Sequence, residues 1–224
     1  MNTSDPLSSS PTTKEMSSAQ TEVQLVPDET IVEVSDAQRK EGLMRFFFDV
    51  LETLVISLLL FAGVNLISAR IRVEGFSMEP TFHNGELVIV NKLAYRFSLP
   101  QRGDVVIFHY PRNPQEEFIK RVIGLPGEQI SVRNGKVFIN GQELEEPYIT
   151  SPPNYTLEAI VPDGTVYVLG DNRNNSSDSH NWGSLPLDMI IGKAVFVYWP
   201  PSNIGVVKHY DLQVKEKTAS AAQE

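Results

Sequence analysis

Apolar and polar residues divide the chain into regions of different pattern. From Phe46 to Ala69 apolar residues dominate, and no charge stands between Glu52 and Arg70. At ~1.5 Å of rise per residue that uncharged interval spans roughly 25 Å, and the apolar Phe46, Phe47 and Phe48 extend it toward the ~30 Å of a hydrocarbon layer. A buried core helix and the apolar part of a signal peptide have similar composition. The stretch begins too far along the chain for an ordinary signal peptide, and no A-x-A site follows it. Residues 45–69 are therefore expected to form one membrane-spanning helix.

From Ile71 the pattern changes to short runs rich in β-branched and aromatic residues: ELVIVN, DVVIFH, EFIKRVIG, QISVR, KVFIN, TVYVLG and KAVFVYW. Asn134-Gly135 and Asn140-Gly141 lie beside KVFIN. Asn-Gly supplies the positive φ angles of a type I′ hairpin, so KVFI reads as a strand between two turns. No helix-period segment of useful length interrupts the region. Residues 70–214 are expected to form a mainly β, antiparallel domain in which sequential strands pair.

The flanks read differently. Up to about Asp36 the chain is rich in Ser, Thr, Pro and Gln and has no aromatic residue. Such a segment buries too little apolar surface to offset its ordering entropy, so residues 1–44 read as a disordered tail, with a docking role as the alternative. Residues 215–224 read as a short C-terminal tail.

Charge adds a direction. The net charge is −9, and residues 1–38 hold seven acidic residues against Lys14 alone. The remainder is only mildly acidic, which argues against a nucleic-acid partner. Arg39, Lys40 and Arg45 precede the apolar run and Arg70 and Arg72 follow it, a narrow bias toward a cytoplasmic N-terminus with the β domain on the trans side. The absence of Cys excludes disulfides and thiol chemistry. His83, His109, His180 and His209 are scattered without a ligand spacing, so neither a metal nor a cofactor is expected.

Four polar stretches carry candidate chemistry. In RIRVEGFSMEPTF, Ser77 follows a short strand and stands before Pro80; it is either a plain turn residue or a nucleophile on a strand-end turn. It is not in a G-x-S-x-G elbow, because Glu79 stands in place of the last glycine, and no S-x-x-K occurs. RGDVVIF leads into a strand. In FIKRVIGLPGE, strand alternation places Phe118, Lys120 and Val122 on one face and Ile119, Arg121 and Ile123 on the other. A lysine between bulky apolar neighbours either snorkels its ammonium to water or is desolvated, with a pKa lowered from ~10.4 toward neutrality. Last comes GDNRNNSSDSHNWG, either a surface loop or a source of hydrogen bonds for a buried site.

In series, SMEPT, RGDVVIF, KRVIGLPGE and GDNRNNSSDS resemble type I signal peptidases, the Ser-Lys leader peptidases. The similarity runs from about Phe46 to Trp199, with the single-anchor look of the cyanobacterial and Gram-positive forms. The resemblance implies a membrane-bound serine endopeptidase that removes signal peptides from exported preproteins, cutting after small residues in an A-x-A-like pattern. It assigns Ser77 as nucleophile and Lys120 as general base. It implies that Ser176 orients the Lys120 amine, that Asp178 ties the polar loop down, and that Gly170 admits the backbone close to the lysine. Gly75 occupies the position where some relatives place a second oxyanion donor. Val73, Met78, Phe82, Phe118 and Ile119 are expected to line shallow pockets for the substrate. His180 and Asn174 depart from the pattern, where relatives commonly carry Arg and often carry Asp. The expected partners are preproteins and a lipid bilayer, that of the cell membrane or the thylakoid.

Overall fold

The computed structural model describes residues 36–212 and 214. Most of the expected leading tail, and all of residues 215–224, lie outside the described residues. The chain divides into two compact units, Met1–Leu51 and Glu52–Glu224. Among the described residues the first holds the opening turns of helix α1 and the second its remainder and every strand.

Helix α1 runs from Asp36 to Ile67. It starts within the segment expected to be disordered and ends before Ala69, because Ser68 and Ala69 are drawn into strand β1 (Ser68–Arg72) by pairing with Asn91 and Val90. Among the described residues it is the one helix long and apolar enough to cross a membrane, over Lys40–Ile67.

Two antiparallel sheets make up the β region. The larger contains β1, β2 (Leu87–Asn91), β3 (Val105–Tyr110), β4 (Asn113–Gly124), β9 (Thr165–Leu169), β10 (Leu185–Pro186), β11 (Ile190–Trp199) and β12 (Gly205–Val206). The smaller contains β5 (Gln129–Arg133), β6 (Lys136–Ile139), β7 (Gln142–Glu143) and β8 (Leu157–Ile160). Both Asn-Gly pairs are two-residue hairpin turns: Arg133 pairs with Lys136 across one, and Ile139 with Gln142 across the other. Asn134 and Asn140 hold φ angles of 52° and 51°, and the glycines after them are also positive, as a type I′ turn requires.

Sequential pairing holds within the β1–β2, β3–β4 and β5–β6–β7 hairpins but not between them. The order across the large sheet is β1-β2-β11-β3-β4-β9-β10. A late strand thus fills the gap between two early hairpins. β11 is bulged against both neighbours, which lets one strand match two hairpins of different registers.

β3 shows why its sequence is apolar without alternation. Val105 and Ile107 join a core with Val88, Val90, Ile119 and Ala194, while Val106 and Phe108 join a second core with Val122, Val168 and Leu185. Both faces are covered, so VVIF has no polar position. A third core, around Ile123, Ile130, Val137 and Leu169, joins the small sheet to the large one.

Candidate active site

The loop after β1 is closed at its base by two backbone bonds: Val73 N–H donates to Glu86 O and Gly85 N–H to Val73 O, both at 2.8 Å. Inside it, Gly75 adopts a φ of +86° and its N–H donates to Asn84 Oδ1 at 2.9 Å. Phe82 N–H donates to Met78 O at 3.0 Å, which coils the segment after Ser77 and turns Met78 and Phe82 inward.

Ser77 Oγ lies 2.8 Å from Lys120 Nζ. The amine also donates to the Ile119 carbonyl at 2.8 Å, and Lys120 is only 4% exposed. Its Nζ stands 5.2 Å from the centre of the Phe118 ring. Burial lowers its pKa from the ordinary 10.5 to about 8, with Asp178 and Asp171 opposing part of the shift. Of the two readings left open, the lysine is desolvated rather than snorkelling.

The polar stretch 170–183 packs behind this pair. Gly170 N–H donates to Asp178 Oδ2 at 2.9 Å, and Asp178 caps the short helix α2 (Ser179–Trp182). The His180 ring lies 2.7 Å from Asp178 Oδ1 and stacks on Tyr155 at 4.4 Å, so the histidine at the departing position partners the loop aspartate. A methyl group on Gly170 would stand 2.5 Å from Ser77 O and 2.2 Å from Ser176 Oγ, so only glycine fits.

Several expected placements need correction. Ser176 does not reach Lys120: its Oγ is buried, has no hydrogen-bond partner among the described residues, and faces Gly170. Gly75 N–H is occupied by Asn84, which removes it as a second oxyanion donor in this arrangement. Val73, Met78 and Phe82 are 2%, 1% and 1% exposed, belong to the core beneath the loop, and do not line the cleft beside Ser77. The open cleft beside Ser77, about 680 Å³, has its apolar wall in Ile71, Phe118 and Ile119, with Arg70, Arg72 and Glu117 among the polar residues around it.

Sequence reasoning marked Asp171 and Arg173 as structural but not the partners that make them the frame of the loop. Asp171 receives two hydrogen bonds from Arg121, at 2.9 and 2.7 Å, and both side chains are fully buried. Thr81 Oγ1 donates to the same carboxylate at 2.6 Å, tying the Ser77 loop to the 170s. Arg121 sits over Tyr148 at 4.2 Å, and Arg173 pairs with Glu146. Asn172 donates from its backbone to Ser77 O and from its side chain to Phe76 O. The alternation that singled out Lys120 puts Arg121 on the face with Ile119 and Ile123, and a charge there is itself the signal of a buried ion pair.

Comparison with known proteins gives this arrangement a context. Residues 47–199 match a family of peptidases, and what the match defines is a serine endopeptidase. The chain belongs to that family, signal peptidase, peptidase S26. It is 50% identical to "Probable signal peptidase I-1" of Synechocystis over 137 residues, covering 58% of this chain and 70% of the relative. It is 46% identical to "Signal peptidase I" of Leptolyngbya laminosa, covering 69% and 81%. A plant relative, "Thylakoidal processing peptidase 1, chloroplastic" of Arabidopsis thaliana, is 42% identical over 149 residues, covering 62% of this chain and 44% of that protein. The activity that belongs to the family is removal of signal peptides from preproteins.

Proposed function

We propose that the chain is a membrane-anchored signal peptidase that works through a Ser77/Lys120 dyad. The observation that carries this reading is the 2.8 Å contact between Ser77 Oγ and a Lys120 amine that is 4% exposed. In its neutral form the amine accepts the Ser77 hydroxyl proton while Oγ attacks the scissile carbonyl. Ser77 N–H, which has no acceptor among the described residues, supports the oxyanion. The intermediate collapses, the leaving amine takes the proton back from Lys120, and the signal peptide remains as an ester on Ser77. Lys120 then deprotonates a water that attacks the ester. This releases the signal peptide with a new carboxylate and restores the serine.

The cleft suits an extended substrate with small side chains, because Ile71, Phe118 and Ile119 leave shallow apolar space beside the dyad. Helix α1 runs directly into β1, so the site stands close to the bilayer surface where a preprotein's apolar segment is held. Arg39, Lys40 and Arg45 favour a cytoplasmic N-terminus and a β domain on the trans side of the cell or thylakoid membrane.

The test is cleavage of a preprotein by the detergent-solubilised full chain, with the cut mapped by mass spectrometry. Ser77→Ala and Lys120→Ala are each expected to remove at least ~10³ of the rate, since the two act as one unit. A Lys120→Ala protein with near-normal turnover refutes the dyad.

A further inference from the structure

Asn172 grips the backbone on both sides of the Ser77 nitrogen. Its backbone N–H donates to Ser77 O at 3.0 Å, and its side-chain Nδ2 donates to Phe76 O at 3.1 Å. The Phe76 carbonyl and the Ser77 N–H are the two ends of one planar amide. A donor placed on that oxygen fixes the plane in which the N–H points. It also draws charge toward the oxygen, and polarisation along the amide makes the N–H a stronger donor.

The Glu79 N–H, from the same turn, also donates to the Phe76 carbonyl at 3.3 Å; Asn172 makes the shorter bond and, among the described residues, the one that comes from outside the loop. Asn84 holds Gly75 N–H, and Thr81 anchors the far end of the loop to Asp171. The Phe76 side chain is 52% exposed, so ring packing does little to fix the peptide that follows it. Asn172 itself is well held, between Asp171 and Arg173, each locked in a buried ion pair.

We propose that Asn172 is a positioning residue for the oxyanion donor, setting the direction and strength of the Ser77 N–H through the Phe76 carbonyl. The inference rests on the Ser77/Lys120 reading and adds to it a group that touches neither substrate nor base. The backbone contact to Ser77 O is made by any residue at position 172, so side-chain variants isolate the contact to Phe76.

The experiment compares wild type, Asn172→Ala and Asn172→Asp as full chains in detergent. It uses a preprotein substrate, a peptide aldehyde ending in an alanine residue, and the same peptide with a free carboxylate. Loss of a whole oxyanion donor costs ~10²–10³ in kcat, so loss of its positioning is expected to cost about 10- to 100-fold, with KM within about twofold. Aldehyde affinity should fall by the same factor, because its adduct with Ser77 carries the oxyanion, while affinity for the carboxylate peptide stays within about twofold. The acid limb of the pH–rate profile should stay in place, since Lys120 is untouched. Asn172→Asp, matched in size, sets a carboxylate against the Phe76 carbonyl and should lose at least as much as Asn172→Ala; it carries the test if the alanine variant does not fold. The inference is overturned by near-normal kcat in both variants, by equal loss of aldehyde and carboxylate-peptide binding, or by a moved acid limb. Ser77→Ala separates the two levels. If it still cuts, the dyad reading itself fails; if it is inactive while Asn172→Asp is normal, only the positioning role does.

Discussion

Replacing Lys120 by methionine keeps an unbranched apolar stem and removes the amine, which separates the cost of burying the base from its use. Burial lowers the Lys120 pKa from 10.5 to about 8, so between those values the unfolded chain holds a proton that the folded chain has released. Stability then rises with pH through that window; below pH 8 the ammonium is present in both states and the folded protein carries its full burial cost. At ~1.4 kcal/mol per tenfold, the gain from pH 7 to pH 10 is about 2–3 kcal/mol. The 4% exposure of the side chain leaves little solvent screening to reduce it.

Other groups titrate nearby with opposite sign. Burial pushes the hydroxyls of Tyr95, Tyr148, Tyr155 and Tyr167 well above 10, so stability falls again once the unfolded tyrosines ionise. The informative quantity is therefore the difference between wild type and Lys120→Met, in which the tyrosines cancel. The assay is urea unfolding in a fixed detergent at pH 7, 8, 9 and 10, followed by near-ultraviolet circular dichroism of the folded aromatic residues. The methionine variant should be the more stable protein at pH 7, and its advantage should shrink by about 2–3 kcal/mol by pH 10. In parallel, wild-type cleavage should rise through a limb centred near pH 8. A stability difference that is flat across the range refutes the reasoning, because the amine would then be charged in both states.

Gly170→Ala would set a methyl 2.5 Å from Ser77 O and 2.2 Å from Ser176 Oγ, so the Ser77 loop must move. A misplacement approaching 1 Å costs ~10² in kcat, and overpacking adds ~1–3 kcal/mol of instability; turnover and the urea midpoint measure the two, and wild-type values would contradict the packing described. Asp171→Ala leaves Arg121 charged, fully buried and without its carboxylate, which should cost ~3–5 kcal/mol in urea unfolding. A loss below about 1 kcal/mol would mean that water reaches the guanidinium.

Legibility followed the range of the interaction. The two Asn-Gly hairpins were readable because two adjacent residues decide a type I′ turn. The seven apolar runs were readable because each carries strand residues in an unbroken stretch. LEAI at β8 was not: leucine, glutamate and alanine favour helix, and only pairing with β5 makes this segment a strand. The place of β11 was equally hidden, since no local signal records which hairpins a late strand will join. At the site, Ser77 and Lys120 came from motif resemblance, and alternation alone justified suspecting a desolvated lysine. The pocket assignment missed because Val73, Met78 and Phe82 flank the serine in sequence, while the coil after Ser77 turns the latter two inward. Asn172 and Thr81 act through single hydrogen bonds to residues about ninety positions away, a relation that a lone sequence does not encode visibly.

The insertion of β11 also decides when the protein acquires an active site during its synthesis. Ser77 lies in the loop that joins β1 to β2 and Lys120 lies on the β3–β4 hairpin, and β11 is the strand that hydrogen-bonds to both hairpins. Until residues 190–199 have left the ribosome and entered that gap, β2 and β3 have open edges and the serine and lysine ride on separate hairpins. Closing a sheet across about a hundred intervening residues is slow compared with forming either hairpin. The nascent chain therefore passes through a long interval in which both hairpins exist and no dyad does. Under the proposed dyad, a chain in that interval cannot cut a preprotein. The cost is a pair of unpaired strand edges during that interval, the point at which misassembly competes with folding.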